Sequence, residues 1–274
     1  MFLGNFLDEK MKSKKDGKAN KIIQKIKSLK NIGDNIFGNI VYEHKGKRSI
    51  VIMHRYGNDV LMVNNVPFSL IRHRSIFVGG YWDYFILLPF LYKYPKVLLI
   101  GLGGGTIIYQ MKKIFDKIDI TAVENDPEMV EAKNHFLPEK VDFKLKIGDG
   151  AEFVNKTNEK YNLIIFDAYD NYNIPEIFLK ESFLNDVYDK LDENGIFAVN
   201  YIPIEHNEPL IKMNNSKKFT IYQIDIKESA NKLLLFSKNL KKKDMLNLIN
   251  TGIKNNVFIK EYIIDAYKSM KNES

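Results

Sequence analysis

The residue types that could do chemistry in this sequence lie where apolar runs stop. The run at 97–100 (Val-Leu-Leu-Ile) gives way to Gly101-Leu102-Gly103-Gly104-Gly105-Thr106, and the run at 118–123 stops at Glu124. The strand-like stretch at 141–147, in which apolar residues alternate with charged ones, stops at Gly148-Asp149-Gly150, and the apolar run at 161–166 at Asp167-Ala168-Tyr169-Asp170. Glycine has no Cβ, so a strand, a glycine turn and a helix start in that order bring backbone N–H groups close to a ligand. Glu124 comes 23 positions after Gly101, where a nucleotide-binding βαβ unit keeps an acid for ribose hydroxyls. Acid after acid is a poor surface for a pyrophosphate and a good one for a cation. The set therefore favours an adenosyl-sulfonium compound, S-adenosylmethionine or a relative, over the NAD of a dinucleotide oxidoreductase. Asp149 and Gly150 would lie near the exocyclic amine of adenine, and Asp149 can also cap the helix that follows. Asp167 and Asp170 either cap a loop or form a paired carboxylate that holds an amine and accepts its proton during nucleophilic attack.

Such residues need elements that end at one edge. Strands are expected at 97–100, 118–123, 141–147, 161–166 and 196–201. Helices are expected at 107–115, 127–136, 151–156 and 178–191, the third-named run following the Asp149 turn and the last closed by Asn194-Gly195. This alternation predicts an α/β fold with a doubly wound, mostly parallel sheet. Two further strands, 219–226 and 232–237, read as an antiparallel pair at the sheet edge, followed by one or two helices over 243–271. Ahead of the sheet, 81–92 reads as an aromatic helix. Strands at 39–44, 49–55 and 59–63, separated by Lys45-Gly46 and Gly57-Asn58, read as a small antiparallel β-unit over 36–72. The expected division is a lysine-rich lead-in with a short amphipathic helix at 19–29 (1–35), the β-unit (36–72) and a binding domain (73–274).

Composition narrows the class. An apolar share of 45%, with 18 Phe and 15 Tyr among 274 residues, is ample for a packed core. No apolar run has membrane-spanning length and 1–30 lacks the apolar segment of a secretion signal, so no membrane association is expected. Zero cysteines make the cytoplasm the expected location and exclude a thiolate metal site. His44, His54, His73, His135 and His206 are scattered, and no metal is expected. The formal charge of +7 is uneven: 1–30 holds nine lysines against Asp8, Glu9 and Asp16, which leaves only +1 elsewhere. Those lysines are not interleaved with aromatics or arginines, so a solvated lead-in is expected and nucleic acid is not.

The motifs VLLIGLGGGT, AVENDPEMVEAKNHF, KIGDGAEFV, YNLIIFDAYD and IPEIFLKESFLNDVYDKLDENGIFAVN resemble the spermidine synthase (polyamine aminopropyltransferase) family over about 39–238. The resemblance implies a class I methyltransferase-like (Rossmann-like) domain behind a small N-terminal β-unit. It also implies transfer of an aminopropyl group from decarboxylated S-adenosylmethionine to an amine, in polyamine biosynthesis. By the same resemblance Gly101, Gly103, Gly104, Gly105, Glu124, Asp149 and Gly150 hold the donor, with Glu124 on ribose and Asp149 on adenine. Asp167 is the catalytic carboxylate, Asp170 and Tyr81 help to hold the amine, and Asp83, Tyr169 and Asn200 contact the substrate. Aminopropyltransferases commonly self-associate through the β-unit, which implies a homodimer. The sequence departs from the family pattern in three places. Gly104 stands where an acid usually holds the donor's free amine, Tyr81-Trp82-Asp83 replaces a Tyr-His/Gln-Glu, and Asn200 replaces a common Gln. These departures keep open an S-adenosylmethionine-dependent methyltransferase acting on a small-molecule or protein amine. A non-catalytic protein that binds adenosyl nucleotides or polyamines is the alternative from another class.

Overall fold

A computed structural model describes residues 38–170, 173–212, 218–253 and 259–273; the expected lead-in and its helix at 19–29 lie outside them. Four antiparallel strands, β1 (Asn39–Lys45), β2 (Ser49–Arg55), β3 (Asn58–Val63) and β4 (Val66–Arg72), form one sheet in chain order. The fourth strand was not expected from the sequence. It follows a two-residue turn in which Asn64 and Asn65 both adopt positive φ, 49° and 65°, the backbone a tight hairpin requires and one that asparagine tolerates.

The expected helix at 81–92 is broken. It becomes α1 (Trp82–Phe85) and a 3₁₀ turn over Leu88–Leu91, because Pro89 has no N–H to donate to a continuing helix. The main sheet then builds outward from β5 (Lys96–Ile100). To one side lie β6 (Asp119–Glu124) and β7 (Lys144–Ile147); to the other lie β8 (Tyr161–Phe166) and β9 (Leu191–Tyr201), all parallel. Antiparallel β11 (Lys232–Ser237) pairs with β9, β10 (Thr220–Asp225) pairs antiparallel with β11, and the two-residue β12 (Lys271–Asn272) closes that edge. The chain reverses its direction of growth beside β5, so the carboxyl ends of β5 and β8 diverge and leave a crevice there.

Helices α2 (Thr106–Ile114), α3 (Pro127–Phe136), α4 (Gly150–Lys156) and α5 (Glu181–Lys190) connect the parallel strands. A short α6 (Pro209–Lys212) follows β9, and α7 (Lys242–Ile253) and α8 (Glu261–Lys268) follow β11. The helix expected at 178–191 starts later, after a 3₁₀ turn over Glu176–Leu179. Asn194-Gly195 does not close it but lies within β9, where the pairing with β8 shifts register between Tyr161 and Leu163. The strand expected at 141–147 begins only at Lys144, since the Val141 N–H turns back to the Pro138 carbonyl.

Both faces of the inner parallel strands β5, β6 and β8 are buried, as their apolar runs demand, whereas β7 at the edge is largely exposed. Val97, Leu99, Leu163 and Ile165 enter one core, while Leu98, Ile100, Ile164 and Phe166 enter the other. A third core, with Ile50, Leu61, Ile71, Phe136 and Leu137, joins the small sheet to α3. Among the described residues no helix is long and apolar enough to cross a membrane.

Candidate active site

Strand register brings the acidic strand ends together. Ile100 lies beside Val123 on one side and Phe166 on the other, Glu124 lies beside Ile147, and Phe166 lies beside Val199. The residues that come next, Gly101, Gly148-Asp149, Asp167 and Asn200, therefore emerge along one edge with Glu124. Gly101 has φ +88°, and a Cβ on it would stand 2.4 Å from the Asp167 carbonyl oxygen. Only glycine lets the loop and the Asp167 backbone approach this closely.

Asp167 is the centre of the site. Its backbone N–H donates to the Ile100 carbonyl (2.9 Å), which fixes the Cα at the mouth of the crevice. The Asn200 side-chain amide donates to Oδ1 (2.8 Å) and the Tyr81 hydroxyl to Oδ2 (3.1 Å). Behind them, the Asn231 amide donates to Asn200 Oδ1 (2.7 Å), and the Asn231 N–H donates to Ser229 Oγ (3.1 Å). A carboxylate can only accept, so this chain of amides runs one way, from Asn231 through Asn200 to Asp167. The Tyr169 hydroxyl donates to the backbone carbonyl of Asn200. Burial pushes the Asp167 carboxyl up to about 6, and the hydrogen bonds from Asn200 and Tyr81 pull it partly back. Burial also raises the phenols of Tyr81 and Tyr169 well above their ordinary value, with Asp167 adding to both. At neutral pH the group is thus a base flanked by two protonated phenols. That arrangement suits taking a proton from an attacking amine.

Glu124 is buried, with both oxygens engaged by backbone: Oε2 accepts the Leu102 N–H and Oε1 the Asp126 N–H, each at 2.9 Å. Each oxygen keeps a lone pair, so the carboxylate is held rigid and can still accept two vicinal hydroxyls. Exposed Asp149 accepts the Glu152 N–H (2.8 Å) and so caps α4, and Gly150 packs on Ile100. Asp170 is exposed at the rim, where its backbone pairs with Asn173.

Three placements depart from expectation. Asp83 is fully buried and its oxygens accept from Val78 N–H (2.9 Å), Gly79 N–H (2.8 Å), Gln110 (2.6 Å) and Tyr262 (2.9 Å). Four donors saturate it, so it pins the turn that carries Tyr81 and is not a substrate-binding carboxylate. Gly104 and Gly105 are buried rather than facing the crevice. Ser69 Oγ accepts the Gly104 N–H (2.7 Å), Phe136 and the Ser69 Cβ lie 2.7 Å from where a Gly104 Cβ would be, and Leu137 covers Gly105. The scattered histidines are also not all scattered in space: His54, Asp59 and His73 meet on the small sheet.

Sequence reading missed Asn231, Ser69, Gln110 and Tyr262. Asn231 carries no motif; it reaches the site because Tyr201 pairs with Lys232, the first residue of β11. Ser69 arrives through β4, whose Leu70 also exchanges hydrogen bonds with Thr106 Oγ1.

The fold is shared with solved structures. Spermidine synthase from Thermotoga maritima superposes with a TM-score of 0.64 at 20% identity, over 84% of this chain and 83% of that one. A spermidine synthase crystallised with the transition-state analogue AdoDATO gives 0.63 at 19%, over 84% and 82%. Human methyltransferase-like protein 13, in complex with SAH, gives 0.53 at 22%, over 65% and 92%. Among curated sequences, a probable polyamine aminopropyl transferase of Bifidobacterium longum is 26% identical over 166 residues, 59% of this chain and 37% of that protein. A polyamine aminopropyltransferase of Serratia proteamaculans is 36% identical over 110 residues, 38% of each chain. The match thus spans well under half the length of these curated relatives. The family model for the spermine/spermidine synthase domain matches residues 87–227, just over half of the 274 residues, and the chain belongs to the spermine/spermidine synthase family.

Proposed function

We propose that the protein is a transferase that moves an aminopropyl group from decarboxylated S-adenosylmethionine to a small amine, a step of polyamine biosynthesis. The observation that carries this reading is the Asp167 carboxylate, held by Tyr81 and Asn200 at the crevice mouth beside the glycine loop. The donor supplies a carbon activated by a sulfonium. Glu124 would accept its ribose hydroxyls and Asp149 the adenine amine. The acceptor enters as an ammonium drawn by Asp167 and Asp170, with Tyr169 lining its path. Asp167 takes one proton and frees the nitrogen lone pair. The nitrogen then attacks the methylene next to sulfur, the C–S bond breaks, and its electron pair stays on sulfur, leaving methylthioadenosine. Much of the acceleration comes from alignment of the two partners.

One observation favours a second reading, methyl transfer from ordinary S-adenosylmethionine. No acid stands at Gly104, and the space a side chain would need there is filled by Ser69 and Phe136. Calorimetric titration with S-adenosylmethionine, its decarboxylated form and methylthioadenosine separates the readings. Tighter binding of the decarboxylated donor is expected; preference for S-adenosylmethionine assigns methyl transfer, and no binding of any of the three overturns both.

A further inference from the structure

The small N-terminal sheet carries a cluster that the transferase reading leaves unused. On β2 and β3, His54 faces Asp59 directly, and Asp59 also pairs with Ile71 of β4. His73 follows β4 directly, and its backbone N–H donates to the carbonyl of Gly57 (3.0 Å), the residue before β3. Register and this turn thus set two imidazoles and one carboxylate side by side. His54 Nδ1 lies 2.6 Å from Asp59 Oδ1, His73 Nε2 lies 2.8 Å from Asp59 Oδ2, and the three donor atoms all lie within 4.8 Å of one another. The two rings are 5.4 Å apart, tilted by 52°.

We propose that His54, Asp59 and His73 form a binding site for a late divalent first-row transition-metal ion, with Zn²⁺ the representative case. Two imidazoles and a carboxylate are the donor set that such ions take, in preference to the all-oxygen sets of Mg²⁺ or Ca²⁺. Ligand atoms about 2.0–2.2 Å from a shared ion stand roughly 3–3.5 Å apart. The two nitrogen–oxygen distances would open by about half an ångström to admit one. The side chains can make this move, since His54 and His73 are 45% exposed and Asp59 20%. Three protein ligands leave coordination positions facing solvent for water. Because His73 begins the segment 73–80 that leads to Tyr81, an ion here would clip β2 and β3 to the start of the chain segment entering the active site.

The test uses the full chain without a histidine tag, stripped with a chelator and titrated with Zn²⁺ by calorimetry and Co²⁺ by absorption. We expect one ion per chain, weakening at least about tenfold in His54→Gln and in His73→Gln, with His135→Gln unchanged as control. Zinc-edge absorption spectroscopy of the unmutated protein is expected to show two imidazoles in the coordination shell, which keeps the test decisive if a variant fails to fold. No saturable uptake by the unmutated protein overturns the proposal. So does uptake of equal affinity in a folded variant that carries both His54→Gln and His73→Gln, or a coordination shell without imidazole.

Discussion

The Asp167 carboxyl carries opposite demands from folding and from catalysis. Burial lifts it from the usual 3.8 to about 6 in the folded chain. A raised acid binds its proton more tightly when folded, so the neutral form contributes stability that is complete below about pH 4 and lost as pH rises through about 6. At neutral pH the ionised group then costs on the order of 3 kcal/mol. Asp167→Asn cannot ionise and can still pair with both Asn200 and Tyr81. It is expected to lower kcat by about 10²- to 10⁴-fold and to be more stable than the unmutated protein at pH 7–8 but not at pH 4, measured by denaturant unfolding of both proteins at both values. Tyr81→Phe removes a hydrogen bond that favours the ionised form. One bond of this kind is worth about 1.5 kcal/mol, so the acidic limb of the kcat profile is expected to move up by roughly one pH unit. An unmoved limb would place Tyr81 outside the titrating pair.

At the scale of elements, β4 sets the shape of the glycine loop. Ser69 Oγ and the Ser69 backbone neighbour Leu70 tie the strand to Gly104 and Thr106. Phe136, at the end of α3, presses on the same spot. Reintroducing an acid as Gly104→Asp is therefore expected to destabilise the fold by about 1–3 kcal/mol through overpacking, and to cost less in a Phe136→Ala background, although Phe136→Ala is itself destabilising. The coupling is read by thermal unfolding of the unmutated protein, the two single variants and the double variant; an equal cost of Gly104→Asp with and without Phe136 would mean that this packing is not rigid. Much of this level was legible in the sequence. The Val-Leu-Leu-Ile run, the Gly101 turn, Glu124, Asp149 and Asp167 all announced themselves, because buried parallel strands are continuous apolar runs and their ends carry the polar residues. Contacts fixed by long-range register were not legible. Asn231 joins Asn200 only through β9–β11 pairing, and His54 meets His73 only through the four-stranded sheet. Asp83 misled for a related reason: a carboxylate beside Tyr81 looks like a ligand contact until Val78, Gly79, Gln110 and Tyr262 are seen to saturate it.

For the molecule as a whole, the two sheets have different edges. β12 closes one side of the main sheet, while among the described residues no strand pairs with the outer edge of β1, where Ile40 and Val41 are about half exposed. An open apolar edge strand invites pairing with another chain. We expect a dimer by light scattering that Ile40→Lys shifts to monomer with the fold retained; an unchanged mass would place any interface elsewhere. The central claim concerns group transfer, and product analysis tests it most directly. The protein is incubated with decarboxylated S-adenosylmethionine and a diamine, and methylthioadenosine and the aminopropylated amine are quantified together. Their appearance in equal amounts, abolished by Asp167→Asn, is the predicted result. Absence of both products from a folded, donor-bound protein would contradict it.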